Sequence, residues 1–309
     1  MTNSFNTVSL FCGAGGLDLG FKKAGFNLIW ANDFDKFAVK TYQENFGNHV
    51  VCGDLQKINF NDIPIADVII GGFPCQPFSM MGKEKGFQDT RGDLFFTIIE
   101  IIKNQIKRNN HPKAIILENV RRLKTHDNGN TFNTIKNELK QLGYRRPYAE
   151  ILNTADFGLP QTRNRLFIVC FEDETIEFEF PKPEKLELTM QDLLEKNVED
   201  KYFLSDRILP TILANGSGNY HAKSEIDLKI ARPLCSTMHK MHRACQDNYV
   251  TDGGKVRRLT PREAARLQGF PDDFKIPVSD TQAYIQFGNA VSVNVAEKLA
   301  LSVKEALNG

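Results

Sequence analysis

Short apolar runs alternate with longer amphipathic stretches through the first half of the chain. Val8–Phe11 reads as a strand entering a glycine turn, Gly13-Ala-Gly-Gly16, and Leu17–Ala24 as a helix closed by Gly25. The same alternation predicts strands at Asn27–Ala31, His49–Cys52, Ala66–Ile70, Ala114–Leu117 and Arg165–Phe171. It predicts helices at Lys36–Asn45, Leu94–Lys107 and Phe132–Leu142. Strands alternating with helices imply a doubly wound α/β sheet, which takes ligands at the carboxyl ends of its strands. The pattern changes after about residue 180. Phe180-Pro-Lys-Pro-Glu184 reads as a linker, and from Lys182 to about Val256 periodicity is weak, with a glycine-containing turn at Asn215–Asn219. Regular structure returns at Thr260, a good N-cap before Pro261–Leu267, and a last helix is predicted at Asn294–Ala306.

Composition narrows this only a little. The 309 residues suit one large domain or two moderate ones, and 41% hydrophobic with 25% charged residues is ordinary for a globular enzyme. Net charge is +1, so nucleic-acid binding would require basic residues grouped on one face. The six cysteines form no C-x-x-C pair, which argues against zinc, and no run approaches the length of a membrane span. Met1–Thr7 is polar and lacks a signal-like apolar region. A reduced, cytoplasmic enzyme is the expectation.

Four segments carry chemistry. Phe11-Cys-Gly-Ala-Gly-Gly16 lies between a strand and a helix, where glycines let the backbone approach a ligand closely. Asp33 ends the next strand, eighteen residues beyond Gly15, the usual place for a carboxylate gripping ribose hydroxyls. Asp54 follows the third strand and is suited to accept from an adenine amino group. On the loop alone, a nicotinamide cofactor and a methyl donor fit equally. The second segment, Gly71-Gly-Phe-Pro-Cys-Gln-Pro-Phe-Ser79, puts Cys75 at the carboxyl edge of the sheet between two prolines that fix the backbone. A lone cysteine is more often a small buried hydrophobe, but this one has polar neighbours in a Gly/Pro-rich loop. The third, Leu117-Glu-Asn-Val120, places Glu118 after the fifth strand, facing the same crevice. The fourth, Gln161-Thr-Arg-Asn-Arg165, puts residues 161, 163 and 165 on one face of an extended chain, where two guanidiniums can hold a base carbonyl and a phosphate.

In this order and spacing the motifs resemble the bacterial cytosine-C5 DNA methyltransferase family. The resemblance extends to Arg258-Leu-Thr-Pro-Arg-Glu263, Arg266-Leu-Gln-Gly-Phe-Pro271 and Gln286-Phe-Gly-Asn-Ala-Val291, and covers nearly the whole chain except about 182–255. It implies a Rossmann-like methyltransferase sheet with a second, smaller DNA-recognition domain. The catalytic domain would comprise 1–181 and 277–309, and the target-recognition domain 182–276, with the duplex in a cleft between them. It implies Cys75 as nucleophile, Glu118 as the acid on the base edge, and Arg163 and Arg165 as active-site arginines. S-adenosylmethionine would meet Phe11, Gly13, Gly15, Asp33, Phe34, Asp54, Leu55, Pro74, Leu94 and Asn289. Many members carry Glu where this chain has Asp33.

Chemistry on a base inside a duplex requires flipping it out. Ser79–Arg91, with Gly82 and Gly86, reads as a loop closing over DNA, and Ser79, Met81, Lys83, Lys85 and Arg91 are its candidate DNA contacts, Met81 filling the vacated stack. Basic residues gather late in the variable stretch, giving Arg232, Lys240, Arg243, Arg257 and Arg258 as candidates for phosphate contact and base reading. His239 and His242 have no further ligands nearby, so no metal site is assigned. The expected partners are double-stranded DNA, bound by a monomer, and a cognate restriction endonuclease. Three rivals compete: a tRNA cytosine-C5 methyltransferase, favoured less by the sizeable variable region; a nicotinamide-dependent oxidoreductase, which leaves Pro74-Cys75-Gln76 unexplained; and a catalytically dead DNA-binding relative, against which the intact Cys75, Glu118, Arg163 and Arg165 argue.

Overall fold

The computed structural model describes residues 4–74, 93–216 and 221–309, which form two compact units. The first unit comprises residues up to Leu152, Asn164–Pro181 and Ala296–Gly309. It holds a seven-stranded sheet built from β1 (Asn6–Leu10), β2 (Asn27–Asp33), β3 (Val50–Cys52), β4 (Val68–Gly72), β5 (Ala114–Val120), β6 (Tyr148–Asn153) and β7 (Asn164–Phe171). The order is β3-β2-β1-β4-β5-β7-β6. Strands β1 to β5 pair in parallel, and β7 runs antiparallel to β5. This is the Rossmann-like doubly wound fold that the alternating pattern predicts.

The chain winds outward from β1 through β2 to β3, then returns to lay β4 against the other side of β1. The loops leaving β1 and β4 therefore diverge at a topological switch point, which opens a crevice at their carboxyl ends. Both chemical segments of the sequence start there: the glycine loop leaves β1, and the run toward Cys75 leaves β4. The central strands are apolar on both faces because helices cover both, as parallel sheets require. Ile69, Ile115, Leu117, Leu166 and Ile168 join Ile98, Ile102 and Ile135 in one buried cluster. The last two helices of that cluster's cover are α3 (Asp93–Lys107) and α4 (Asn130–Gln141), whereas α1 (Gly16–Lys23) and α2 (Lys36–Phe46) follow β1 and β2. Strand β6 escapes the sequence pattern because it is a half-buried terminal strand of mixed polarity.

The second unit comprises Asn153–Arg163 and Lys182–Val295. Its regular elements are α5 (Leu209–Leu213), a two-stranded ribbon of β8 (Tyr249–Asp252) and β9 (Lys255–Arg258), α6 (Pro261–Leu267) and α7 (Asp280–Asn289). Gly253 and Gly254, at φ of 56° and 80°, make the ribbon's two-residue turn, a conformation that favours glycine. Helix α6 starts on the anticipated cap: Thr260 accepts from the Glu263 backbone N–H, and Glu263 accepts from that of Thr260. Helix α8 (Val293–Asn308) begins in this unit and continues in the first.

Within the first unit, α1 lies tightly on α8. A Cβ at Gly20 would stand 2.4 Å from the Ala296 Cβ and 2.5 Å from the Glu297 backbone nitrogen. Lys23 pairs with Glu297 at 3.0 Å, and Lys304 donates to the Ala24 carbonyl at 2.8 Å. Helix propensity alone favours Gly20→Ala by about 1 kcal/mol; overpacking against backbone costs about 1–3 kcal/mol. The variant should therefore melt a few degrees below the wild type in calorimetry. A higher melting temperature would contradict this close approach.

Candidate active site

The glycine loop is held under local constraint. Phe11, Gly13 and Gly15 all have positive φ, at 57°, 56° and 86°. A Cβ on Gly15 would fall 2.4 Å from the Phe46 ring, so that glycine lets α2 pack beneath the loop. A Cβ on Gly13 would meet no atom within 4 Å, so the backbone there faces open space. Asp33 braces the loop from β2: its carboxylate accepts from the Gly13 N–H at 2.8 Å and the Asp35 N–H at 2.9 Å. Burial raises its pKa, and those hydrogen bonds partly oppose the rise. A carboxylate with two such bonds retains acceptor capacity for a further donor. Beneath the loop, buried Asp18 accepts from the Tyr42 hydroxyl at 2.8 Å, and burial pushes its carboxyl up to about 6.

The other cofactor candidates divide by exposure. Phe34, directly after Asp33, leaves 76% of its surface exposed, an unusual position for an aromatic ring. Asp54 caps a short 3-10 turn by accepting from the Gln56 N–H at 3.1 Å, and it is partly exposed. Leu55 is buried, Pro74 is exposed where β4 ends, and Leu94 is half-buried at the start of α3. Asn289 is exposed at the end of α7, in the second unit.

At the carboxyl end of β5 the structure brings together a carboxylate and a guanidinium. The Arg165 Nε stands 3.0 Å from the Glu118 Oε1, with both side chains mostly buried. The antiparallel register sets this pair, because Val120 opposes Arg165 and Glu118 opposes Phe167. Glu118 lies within β5, whereas the apolar run alone ends the strand at Leu117. On the other side, a Cβ at Gly72 would meet the Glu118 Oε2 at 3.0 Å, so glycine there leaves room for the carboxylate. The neighbouring Asn119 donates from Nδ2 to the Phe73 carbonyl at 2.8 Å. This amide fixes the chain two residues before Cys75. Asn119 is not among the residues that the sequence motifs single out, although its place beside Glu118 on a strand end is a signal.

Two of the expected arginines make internal contacts. The Arg163 guanidinium, expected in the active site, is anchored to backbone. It is buried and donates to the carbonyls of Leu234 at 2.6 Å and of Gly288 and Ala290 at 2.9 Å each. Gln161 points the same way, donating to the Leu267 carbonyl at 2.9 Å and accepting from the Leu234 N–H at 2.9 Å. A planar fork of donors matches a cluster of carbonyls left over at chain turns, so Arg163 serves as an internal bracket. The bracket also explains Gly288, where a Cβ would lie 2.2 Å from the Cys235 carbonyl carbon. Arg257 is likewise not a surface contact. It is fully buried, bonded through both terminal nitrogens to Glu263 at 2.9 and 2.8 Å and through Nε to Asp252 at 2.9 Å. The alternation of β9 turns it inward, and the helix-capping carboxylate of α6 receives it.

Of the remaining basic candidates, Arg258 lies 4.5 Å from the Tyr284 ring centroid and donates to the carbonyls of Met238 and His239. Arg232 donates from Nε to the Ala244 carbonyl at 3.2 Å and lies 3.5 Å from Glu225. Lys240 is exposed and Arg243 half-buried. Cys75, Ser79, Met81, Lys83, Lys85 and Arg91 lie outside the described residues, as does the closing-loop reading built on Ser79–Arg91. Among the described cysteines, burial pushes the thiols of Cys12, Cys170 and Cys235 up, which makes them poor nucleophiles at neutral pH.

A doubly wound sheet with a glycine loop at its switch point and an acid–guanidinium pair one strand away defines a group-transfer enzyme of the Rossmann-like methyltransferase class. The sequence pattern of the C-5 cytosine-specific DNA methylase family matches residues 5–305, and the chain belongs to that family. Type II methyltransferase M.NlaX of Neisseria lactamica is 40% identical, over 98% of this chain and 97% of its own length. Type II methyltransferase M.HaeII of Haemophilus aegyptius is 42% identical, over 98% and 94%. The crystal structure of the Schizosaccharomyces pombe Dnmt2 methyltransferase superposes with a TM-score of 0.82, covering 99% of this chain and 100% of that one, at 20% identity. That likeness bears on fold alone. The chain is thus a cytosine-C5 DNA methyltransferase that draws on a methyl donor.

Replacing Arg163 by Met would leave three carbonyls without their charged donor. Hydrogen bonds to charged groups contribute about 1.5–3 kcal/mol each, so the DNA-free protein should lose about 3 kcal/mol or more, read from its urea midpoint. Unchanged stability, with DNA binding alone weakened, would refute the bracket.

Proposed function

We propose that the protein methylates C5 of a flipped-out cytosine within a specific duplex DNA sequence, using S-adenosylmethionine, with Cys75 as nucleophile. It would act as the modification half of a restriction–modification system beside a cognate endonuclease. The observation that carries this reading is the Glu118–Arg165 pair at 3.0 Å, beside an Asn119 amide that grips the backbone leading to Cys75.

The residues present fit the donor. Gly13 leaves open space above the loop, Asp33 holds an acceptor at the end of β2, and Phe34 offers an exposed aromatic face beside it. Phe11, Gly15, Asp54, Leu55, Pro74, Leu94 and Asn289 complete the proposed donor contacts. S-adenosylmethionine supplies, when bound, a methyl carbon made electrophilic by its sulfonium.

Cytosine C5 is a poor nucleophile until something adds at C6. Attack by the Cys75 thiolate on C6 pushes the ring electrons toward N3 and makes C5 an enamine carbon. Glu118 in its protonated form donates to N3, where negative charge develops, its other oxygen accepts from the exocyclic amine, and Arg165 positions it for this. After C5 is methylated, loss of its proton to a base returns the electron pair to the ring and expels Cys75. Arg165, whose Nη1 also donates to the Asn164 carbonyl at 3.0 Å, turns its remaining N–H donors to the base carbonyl.

Target choice is assigned to residues 182–276. Of the five expected DNA contacts in that stretch, Lys240 is exposed and Arg243 half-buried, whereas Arg232, Arg257 and Arg258 make internal contacts. Membership of a DNA methylase family and full-length likeness to Type II methyltransferases favour duplex DNA over tRNA. A nicotinamide reaction would give the Glu118–Arg165 pair and the run to Cys75 no role.

Duplex DNA carrying 5-fluorocytosine at the target should trap an SDS-stable adduct with the wild type, because fluorine does not leave as a proton does. Cys75→Ala should form none while still binding the donor. An adduct with Cys75→Ala, or none with an active wild type, would contradict the assignment.

A further inference from the structure

The chain leaves β5 at Val120 and turns at once through Arg121–Lys124, a 3-10 turn of four residues. Leu123 is fully buried in the core cluster of the sheet, whereas Arg121, Arg122 and Lys124 are exposed. Residues repeat every three positions in such a turn, so anchoring Leu123 inward directs its neighbours to solvent. No ion pair among the described residues engages any of the three cations. The nearby Asp127 accepts from the Asn130 Nδ2 at 3.3 Å.

The other end of the sheet is arranged differently. Lys113, just before β5, pairs with Asp67 at 3.1 Å. Arg145 and Arg146, just before β6, pair with Glu174 at 2.9 Å and Glu177 at 2.7 Å, two residues that follow β7. The three cations named at the amino end of β5 are thus neutralised; past its carboxyl end Arg165 is paired with Glu118, but no ion pair among the described residues engages Arg121, Arg122 or Lys124. Three like charges within four residues repel one another unless an anion lies between them.

We propose that Arg121, Arg122 and Lys124 bind backbone phosphates of duplex DNA beside the target nucleotide. The proposal rests on the reading of the substrate as DNA. Two arguments favour this partner. The net charge of +1 gives the molecule no general attraction for a polyanion, so local clusters must supply it. Two of the second unit's expected DNA contacts are committed elsewhere, with Arg257 buried against Glu263 and Arg258 on Tyr284, although Lys240 is exposed. The cluster is also well placed. Arg121 follows Glu118 by three residues of extended chain, roughly 10 Å, which is the range of phosphates adjoining a base held at Glu118. Phosphate contacts of this kind fix register and orientation without reading sequence.

The test is a variant of the full chain, R121A/R122A/K124A, with Leu123 kept. Its duplex affinity is measured by fluorescence anisotropy across a range of salt. Each lost phosphate contact lowers the log–log salt slope by about 0.9, so the slope should fall by about 2–3. Affinity for target-containing and unrelated duplexes should weaken alike, with melting temperature and donor affinity unchanged. A control, R145A/R146A, removes exposed cations from the other end of the sheet and should leave the slope as in the wild type. A wild-type slope in the triple variant, or an equal fall in the control, would overturn the proposal while the methyltransferase reading stands. A wild type that neither binds nor methylates any duplex would overturn both.

Discussion

Everything chemical in the first unit is arranged around one ion pair, Glu118 with Arg165 on neighbouring antiparallel strands. A carboxylate at the inner end of a buried strand is costly unless a charged partner meets it. The sheet supplies the partner by reversing direction once, at β7, so that a residue entering the sheet lies beside one leaving it. That reversal places a guanidinium at the carboxyl edge, where an all-parallel sheet would have only strand ends. The pair stands beside the switch point, so the carboxylate, the backbone toward Cys75 and the glycine loop share one edge.

The supporting contacts follow the same logic of fixing backbone with side chains. Asp33 holds the Gly13 N–H, Asn119 holds the Phe73 carbonyl, and within the second unit Arg163 gathers the carbonyls of Leu234, Gly288 and Ala290. Each element is short and ends in a loop, and each loop leaves polar backbone groups that must be satisfied. Long polar side chains satisfy them. That is why several charged residues of the sequence motifs face inward rather than toward a ligand.

Most of the first unit was legible because apolar runs of strand length alternate with helix-period stretches, and burial on both faces makes those runs conspicuous. β6 was not, since a half-buried strand with Glu150 and Asn153 in it has no clean period. The β8–β9 ribbon was also missed, although Asp252-Gly253-Gly254-Lys255 is a hairpin-turn signal between two short strands. At the site, the motifs pointed to Glu118 and Arg165, but spacing along the chain gave no way to tell Arg163 from Arg165. Both lie on one face of an extended segment. Only the position of Leu234, Gly288 and Ala290, distant in sequence, turns one of them into a bracket. The inward turn of Arg257 depends in the same way on Glu263, which also completes the cap that the sequence predicts at Thr260.

The central claim is that Glu118, held by Arg165, acts on the target base and not on the fold. The direct measurement is methyl transfer from radiolabelled donor to target duplex by Glu118→Gln, alongside donor affinity and melting temperature. Acid catalysis of this kind contributes about 10²- to 10⁴-fold. The account requires a loss of that order with donor affinity and melting temperature close to wild type. Transfer within about threefold of wild type, or a loss matched by a collapse in melting temperature, would contradict it.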